Sequence, residues 1–247
     1  MRALRLAMWS GPRNISTAMM RSWSSRADTF VTDEPLYAHY LATTGIDHPG
    51  REEVVAAYDG DWRRVVEWLT GPVPEGKAVW FQKHMTLHLT PEVGREWLGE
   101  LQNAFLIRHP AEVIPSYARV RARPTVGDLG YPQQTALFEE VAAATGRTPP
   151  VVDSRDVLED PRATLTALCA AVGVAFDEAM LSWPAGRHPQ DGVWAPHWYQ
   201  AVERSTGFAP YRPKQEPVPT ALAGVYQQCL AHYQRMHAVR LAPPEPS

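Results

Sequence analysis

The sequence predicts an α/β protein with three layers, in which a central, mostly parallel sheet of about five strands carries helices on both faces. Three observations predict this fold. Short apolar runs alternate with segments whose apolar residues recur at helical spacing. Gly and Pro residues separate the two kinds of segment. Polar residues follow the apolar runs at their C-terminal ends, where open parallel sheets bind ligands.

The apolar runs define the strands, and the helical spacing defines the helices. The predicted strands are Leu4–Trp9, Thr29–Asp33, Lys77–His84, Asn103–Ile107 and Pro150–Val152. The predicted helices are 18–26, 36–43, 52–58, 62–69, 92–101, 111–121, 133–144, 160–172 and 217–240. Pro91 and Pro161 stand at helix starts, where a missing N–H costs nothing, and Asp160 is placed to cap the helix that follows it.

The length of 247 residues fits a single domain, 1–247. Within it, 183–216 is rich in Pro, Gly, Trp and His without a sustained period, and it is expected to be a loop or lid segment. The Pro-rich end, 241–247, is expected to be a frayed tail. The sequence leaves the oligomeric state open.

Composition limits the partners of the protein. The net charge of −3 provides no global basic field, so we expect no nucleic-acid partner and a purely local anion site. Two cysteines are too few for a disulfide framework. No apolar run reaches the about 18 residues of a membrane span, and the N-terminus lacks the pattern of a signal region. We therefore expect a cytoplasmic protein with no membrane partner.

The first strand leads into a loop that has the features of an anion site. The loop reads Ser10-Gly11-Pro12-Arg13-Asn14-Ile15-Ser16-Thr17 and precedes the first helix. Backbone N–H groups at a helix start lack intrahelical partners, and the helix dipole favours negative charge there. Arg13 adds a planar cation that matches phosphate or sulfate oxygens. The loop is either a phosphate cradle or an ordinary turn capped by Ser16.

Further polar residues follow the other strands. Glu34 follows the second strand, Lys83 and His84 end the third, and Arg108 follows the fourth. Arg108 precedes Pro110, which opens a helix, and Ser116 lies two turns into it. Arg108 and Ser116 are placed either to hold a second phosphate or to serve as a structural ion pair and a surface hydroxyl.

These segments together resemble the sulfotransferase family that uses 3′-phosphoadenylyl sulfate (PAPS), a family with a P-loop-NTPase-like fold, and the chain is similar to its bacterial members. The loop 10–17 is similar to the family's loop for the 5′-phosphosulfate. Arg108, Pro110, Ser116 and Tyr117 match the segment for the 3′-phosphate. The runs 158–174 and 33–36 resemble two further family motifs. One departure is Ile15, which stands where the family loop usually has Gly.

The resemblance implies transfer of a sulfuryl group from PAPS to a hydroxyl or amine of a small-molecule acceptor, with adenosine 3′,5′-bisphosphate as the product and no metal. It implies cofactor contacts by two groups of residues, which are Gly11, Pro12, Arg13, Asn14, Ser16 and Thr17 in the loop, and Arg108 and Ser116 downstream. Arg13 and Lys83 are the implied catalytic cations.

The acceptor needs a base to remove its proton, and the sequence offers His84 and Glu34. A histidine titrates near neutral pH, whereas Glu34 needs a raised pKa or a neighbouring histidine. Because neighbours on a strand face opposite sides, only one of Lys83 and His84 is expected to face the cofactor unless the strand ends there. The aromatic group at 194–199 either lines the acceptor pocket, stacks on adenine or packs in the core.

Two other functions share parts of the pattern. A P-loop kinase or hydrolase has the same predicted fold, but the sequence lacks the Gly-x-x-x-x-Gly-Lys-Ser/Thr motif. A non-catalytic nucleotide-binding module is the other alternative, and Ile15 gives it some support. A pyridoxal enzyme finds no support, since no lysine lies in a recognisable cofactor context.

Overall fold

The computed structural model of the protein describes residues 3–214 and 216–242. Its sheet has five parallel strands in the order β2-β3-β1-β4-β5. The strands are β1 (Leu4–Ser10), β2 (Thr29–Asp33), β3 (Val79–Met85), β4 (Gln102–Ile107) and β5 (Val151–Asp153). The predicted fold class is therefore confirmed, with the first strand at the centre of the sheet.

Eleven α-helices are found among the described residues. They are α1 (Ser16–Ser24), α2 (Tyr37–Thr44), α3 (Arg51–Ala57), α4 (Trp62–Thr70), α5 (Pro110–Ala118), α6 (Tyr131–Thr145), α7 (Ser154–Glu159), α8 (Pro161–Val172), α9 (Ala195–Trp198), α10 (Gln200–Glu203) and α11 (Ala223–His237). The Asp160 side chain caps α8 by accepting from the Ala163 N–H at 2.9 Å.

Alternating side chains of the central strand fill the two sides of the sheet. Leu6 and Met8 belong to one core cluster, which is completed by residues of α1 and α8. Ala7 and Trp9 belong to the other, which is completed by residues of α6 and α11. Because both faces of β1 are buried, its sequence is almost continuously apolar, as a covered parallel strand requires.

One predicted helix takes another form. Residues 92–101 contain only a 3₁₀ segment, Glu96–Glu100, in place of the expected α-helix. The Leu98 N–H bonds to the Arg95 carbonyl three residues back, and the Asn103 side chain takes up the Leu98 and Leu101 carbonyls. These partners satisfy the backbone groups without an α-helical turn.

Apart from residue 215, which is not described, the segment 183–216 contains the short helices α9 and α10 and contacts the carboxyl ends of β2 and β3 at Asp33 and Lys83. Arg21 of α1 holds it through a buried ion pair with Asp191 at 2.6 Å. Of the expected frayed tail, the Leu241 N–H donates to the Val151 carbonyl at 2.8 Å, and residues 243–247 lie outside the described residues. Among the helices described here, none is long and apolar enough to cross a membrane.

Candidate functional site

The loop after β1 takes its shape from Arg13 and Asn14. Arg13 adopts a left-handed backbone with φ of 59°, whereas Ile15 has an ordinary φ of −90°. The Asn14 side chain donates to the Leu106 carbonyl at 3.0 Å and accepts from the Ile15 N–H at 2.8 Å. The β-branched side chain of Ile15 is thus accommodated, because the positive φ of this loop falls at Arg13 and not at Ile15.

The start of α1 is open to an anion. The helix begins at Ser16, and no side chain of the capping residue bonds to its first turn. The N–H groups of that turn are therefore available as donors to an anion. Gly11 brings the loop close to its neighbour, since a Cβ there would lie 3.1 Å from the Leu129 carbonyl oxygen. Ser16 therefore does not cap the helix, as it would if this loop were an ordinary turn.

Arg13 joins the first loop to the helix that follows β4. Its Nε donates to Ser116 Oγ at 3.0 Å, and Arg108 Nη1 donates to the Arg13 carbonyl at 3.2 Å. The side chain of Arg108 also pairs with Glu112 on the same helix, at 2.9 Å. The two segments of the predicted phosphate sites therefore form one continuous surface.

Positive charge exceeds negative charge on this surface. Lys214 reaches it from the C-terminal segment, and its Nζ donates to the Glu112 carbonyl at 2.8 Å. Burial and the neighbouring Arg108 lower the pKa of Lys214 to about 8. Burial, followed by Arg108 and Arg119, also lowers the pKa of Arg13. Burial and neighbouring positive charge both disfavour the charged form of Arg13 and Lys214, and an anion bound between these side chains would favour it.

At the ends of β2 and β3 the charges are instead matched within the protein. Lys83 is 1% exposed, and its ammonium group donates to Asp33 at 2.8 Å, Glu34 at 2.5 Å and the Tyr199 hydroxyl at 2.7 Å. Burial opposes the charge of Lys83, but the two carboxylates outweigh it and raise its pKa well above the usual range. All three N–H donors of Lys83 are therefore engaged.

Tyr199 ties the segment 183–216 to these strand ends. Its hydroxyl donates to Asp33 at 2.7 Å and accepts from Trp194 Nε1 at 3.0 Å. The Gly192 N–H donates to the same carboxylate at 3.2 Å. The segment thus supplies a wall of the site and closes the hydrogen-bond network around Lys83.

Glu34 lies at the surface of the site beside a histidine. It has a left-handed backbone with φ of 40°, and its side chain is 13% exposed. One carboxylate oxygen faces Lys83, and the other is 3.8 Å from His88 Nε2. Burial, followed by Lys83 and His48, lowers the pKa of His88 well below its usual value, so its imidazole is neutral. Glu34 therefore has a histidine beside it, which is one of the two conditions stated above for a carboxylate base at this position.

His84 lies on the other side of β3. Because the strand continues to Met85, His84 and Lys83 face opposite ways, and the His84 ring stacks on Trp9 with centroids 4.3 Å apart. The side chain is 1% exposed, and burial lowers its pKa to about 3. The structure thus places Lys83 at the site and His84 in the core.

A cavity of about 1090 Å³ lies over the carboxyl end of the sheet. The predicted site residues that line it are Gly11, Pro12, Arg13, Asn14, Ser16, Thr17, Glu34 and Lys83. Arg108 lines a small recess beside Gly11, Pro12 and Asn14, and Ser116 touches Arg13. Throughout 3–214 and 216–242, no cluster of three His, Cys, Asp or Glu side chains is arranged as a metal site.

Four residues of the site were not among its predicted members: Asp33, His88, Tyr199 and Lys214. Asp33 ends the same strand that Glu34 follows, and His88 lies five residues after Lys83, so strand-end position was the available signal for both. Tyr199 belonged to the aromatic group for which a pocket was one alternative, and it does line the cavity, as do Trp194 and Trp198. Lys214 carried no local signal beyond its charge.

Comparisons with known proteins agree with this arrangement. A family model of the sulfotransferase domain matches residues 4–240. The sulfotransferase domain of the Synechococcus PCC 7002 olefin synthase superposes with a TM-score of 0.60 at 18% identity, over 95% of this chain and 96% of that one. A sulfotransferase from Alicyclobacillus acidocaldarius superposes with a TM-score of 0.57 at 12% identity, over 96% and 97% of the two chains. At these identities the superpositions establish the shared fold.

Two curated relatives come from Arabidopsis thaliana. Branched-chain-amino-acid aminotransferase-like protein 2 is 34% identical over 91% of this chain, and protein 1 is 36% identical over 85%. The chain spans only 40% and 37% of their lengths. Their names therefore describe proteins more than twice as long, whereas the domain match covers nearly all of this chain. The chain belongs to the sulfotransferase domain family.

Proposed function

We propose that the protein transfers a sulfuryl group from PAPS to a hydroxyl or amine of a small-molecule acceptor and releases adenosine 3′,5′-bisphosphate. The observation that carries the proposal is the contact of Arg13 with both Ser116 and Arg108. This contact places the loop 10–17 beside the segment that carries Arg108 and Ser116, so one ligand with two separate phosphate groups could reach both. A nucleoside triphosphate, whose phosphates form one chain, would need only the loop 10–17.

The residues present fit such a donor. The loop 11–17 and the open start of α1 would hold the 5′-phosphosulfate, with Arg13, Ser16 and Thr17 as side-chain donors. Arg108 and Ser116 would hold the 3′-phosphate, and Lys214 adds a cation beside them. The excess positive charge of this surface supports the assignment, because a bound dianion relieves the repulsion between the cations.

PAPS supplies an activated sulfuryl group, and the chain's own task is to position it and to stabilise charge. Arg13 and the N–H groups at the start of α1 are fixed donors in a partly buried cavity, where electrostatic interactions are stronger than in water. Arg13 remains protonated, so it stabilises charge and does not act as a proton donor.

Glu34 is the base in this proposal. Lys83 holds one of its carboxylate oxygens, and the other faces the cavity beside the neutral His88. Lys83 has no free N–H, so its role is to orient the carboxylate of Glu34 towards the acceptor. His84, buried against Trp9, is the weaker candidate.

Ligand binding tests the donor. Thermal stabilisation and titration heats are measured with adenosine 3′,5′-bisphosphate, and with ATP and GTP with and without Mg²⁺. We expect metal-independent stabilisation by the bisphosphate. A preference for ATP with Mg²⁺ would indicate the P-loop kinase or hydrolase, and binding of the bisphosphate without turnover of any PAPS-dependent acceptor would indicate the non-catalytic module.

A pair of variants tests the base. Glu34→Gln keeps the size of the side chain and an oxygen for Lys83, so we expect it to lose turnover by about 10²–10⁴-fold while keeping bisphosphate affinity. His84→Gln is the comparison, and it is expected to keep turnover in the folded fraction. Loss of turnover in His84→Gln alone would move the base to the other side of β3.

A further inference from the structure

A buried carboxylate lies within the cationic surface that follows β4. Glu112 is 9% exposed and belongs to the first turn of α5. It contacts both Arg108 and Lys214, which would hold a phosphate in the proposed function. Its negative charge at this place opposes the binding of an anion. The contacts of the side chain indicate what it contributes in return.

The spacing of the sequence places Glu112 between the two residues proposed for the 3′-phosphate. Arg108, Glu112 and Ser116 follow one another at intervals of four residues. Residues four apart on a helix lie on one face, so Glu112 and Ser116 share a face of α5. A carboxylate in the first turn is also favoured by the helix dipole, which holds it near the helix start.

One carboxylate oxygen of Glu112 covers one side of the Arg108 guanidinium. Arg108 Nε donates to Glu112 Oε2 at 3.0 Å, and Arg108 Nη2 lies 2.9 Å from the same oxygen. Arg108 Nη1 donates to the Arg13 carbonyl at 3.2 Å. A guanidinium has five N–H groups, so one remains on each of Nη1 and Nη2. These two form the end of a planar fork, which matches two oxygens of a phosphate.

The other carboxylate oxygen holds the C-terminal segment. The Tyr211 hydroxyl donates to Glu112 Oε1 at 2.7 Å, and the Tyr211 N–H donates to the Leu158 carbonyl at 3.1 Å. Burial, followed by the hydrogen bond to Glu112, raises the pKa of Tyr211 to about 12, so the phenol keeps its proton. The Arg155 guanidinium lies over the Tyr211 ring, 5.1 Å from its centroid. Tyr211 is therefore fixed from three sides, and it fixes Glu112 in turn.

We propose that Glu112 is a positioning residue for the donor. It turns Arg108 so that the free end of the guanidinium meets the 3′-phosphate, and Tyr211 holds Glu112 in the orientation that this requires. The inference rests on the proposed function and adds to it a residue that determines which phosphate position is recognised. Glu112 does not touch the donor in this role. It lowers the total attraction for an anion but fixes the direction from which a phosphate is bound.

Two isomers of the product separate direction from charge. Adenosine 3′,5′-bisphosphate and adenosine 2′,5′-bisphosphate carry the same charge, and one phosphate differs in position by one carbon. Titration calorimetry on the full chain gives the affinity of each. We expect the 3′,5′ isomer to bind about tenfold or more tightly, because an oriented fork accepts one phosphate position. Equal affinities would overturn the inference.

The variant Glu112→Gln keeps the size of the side chain and removes its charge. We expect the preference for the 3′,5′ isomer to fall by about fivefold or more, because Arg108 is no longer held by an ion pair. If the carboxylate only repelled phosphate, both isomers would bind more tightly by the same factor. The preference would then be unchanged, and the inference would be wrong. Glu139→Gln, which removes a carboxylate paired with Arg235 at 2.8 Å, is the control and should change neither affinity.

A double-variant cycle tests whether Glu112 acts through Arg108. In the background of Arg108→Ala no guanidinium remains to be oriented, so Glu112→Gln should cause no further loss of preference. An equal loss in both backgrounds would show that Glu112 acts in another way.

Tyr211→Phe is a milder variant, because it removes one hydroxyl and keeps the ion pair of Glu112 with Arg108. It should lower the preference by about twofold to threefold, the effect of one hydrogen bond that acts at a distance from the ligand. An unchanged preference would contradict the role assigned to Tyr211.

The outcomes separate this inference from the proposed function. If neither isomer binds, the proposed function fails, and the inference falls with it. If the 3′,5′ isomer is preferred and the preference survives Glu112→Gln, the inference is overturned and the proposed donor stands. A preference that is lost in Glu112→Gln, and that no longer depends on Glu112 once Arg108 is removed, supports the inference.

Discussion

Two groups of charges lie side by side at the carboxyl end of the sheet, and they are built in opposite ways. Around Lys83 every donor meets an acceptor within the protein, and the group is sealed by Tyr199. Around Arg108 the cations crowd together beside the Glu112 carboxylate, and burial together with the neighbouring cations lowers the pKa of Arg13 and of Lys214. The first arrangement holds a structure in place, whereas the second gains stability from a ligand.

Backbone strain marks the same two groups. Arg13 and Glu34 are two of the three non-glycine residues with positive φ among those described. Each such conformation costs on the order of 1–3 kcal/mol and persists only where surrounding contacts impose it. Asn14 fixes the loop next to Arg13, and Lys83 fixes the side chain of Glu34. Strain in both groups therefore aims a side chain into the cavity.

We call Lys83 with its partners Asp33, Glu34 and Tyr199 the matched group, and the largest expected effect comes from removing its cation. Lys83→Met leaves Asp33 buried without its cation, so we expect the free energy of unfolding to fall by about 3–5 kcal/mol. Urea unfolding at neutral pH measures the loss. Adding Asp33→Asn should recover part of it, because the amide removes the unpaired charge.

Lys77→Met is the control for this experiment. The Lys77 ammonium donates to the Ala27 carbonyl at an exposed position, and its removal should cost less than about 1 kcal/mol. A loss in Lys83→Met no greater than in this control would show that the matched group does not stabilise the fold.

We call Arg13, Arg108, Ser116 and Lys214 the unmatched group. The next largest effect is expected from removing one of its cations. Arg108→Ala should weaken binding of adenosine 3′,5′-bisphosphate by about 10–100-fold, the range expected for hydrogen bonds to a charged group. Titration calorimetry measures the change. Arg162→Ala, which removes an exposed arginine paired with Glu178, is the control and should leave the affinity unchanged.

Folding stability distinguishes the two groups in the same variant. Because Arg108 belongs to a region of excess positive charge, Arg108→Ala should cost less unfolding free energy than Lys83→Met. The reverse order, or unchanged bisphosphate affinity, would contradict the distinction between matched and unmatched charges.

The sequence was sufficient to predict the strands that carry these two groups, but not the contacts between their side chains. All five strands follow from short apolar runs, which are local features. The polar residues after them could be placed at one edge of the sheet for the same reason. The strand positions of Arg13, Glu34, Lys83 and Arg108 were therefore predictable.

Contacts between distant segments were not predictable in this way. The alternation of Lys83 and His84 was expected, but which of them faces the cavity depends on the register of β3 with its neighbours. His88 reaches the site because Tyr37 and Tyr40 of α2 hold its ring, and Tyr199 reaches Lys83 across 116 residues of chain. Pairings of this kind are tertiary and leave no local pattern.

The pH dependence of donor binding offers a smaller effect from the unmatched group. The pKa of Lys214 lies at about 8 in the free protein, since burial and Arg108 disfavour its charge. A bound anion favours the protonated form, so bisphosphate affinity should be nearly constant between pH 7 and 8 and fall by up to about tenfold per unit above pH 8. Calorimetric titrations between pH 7 and 9.5 measure the decline.

Lys214→Arg is the matched variant, because arginine keeps its proton across this range. Its affinity should stay flat where that of the unchanged protein falls. An equal decline in both proteins would assign the titration to another group and would remove Lys214 from the donor surface.

The smallest expected effect concerns the neutral member of the unmatched group. Ser116 accepts from Arg13, so its hydroxyl both orients that cation and keeps its own proton for an anion. Ser116→Ala removes one hydrogen bond from an uncharged donor to the ligand, and we expect about threefold to tenfold weaker bisphosphate binding. Ser24→Ala, at the far end of α1, is the control. If the hydroxyl only held Arg13 in place, AMP, which lacks the 3′-phosphate, would lose as much affinity as the bisphosphate. A loss confined to the bisphosphate would assign Ser116 to the 3′-phosphate and would show that the unmatched surface distinguishes two phosphate positions.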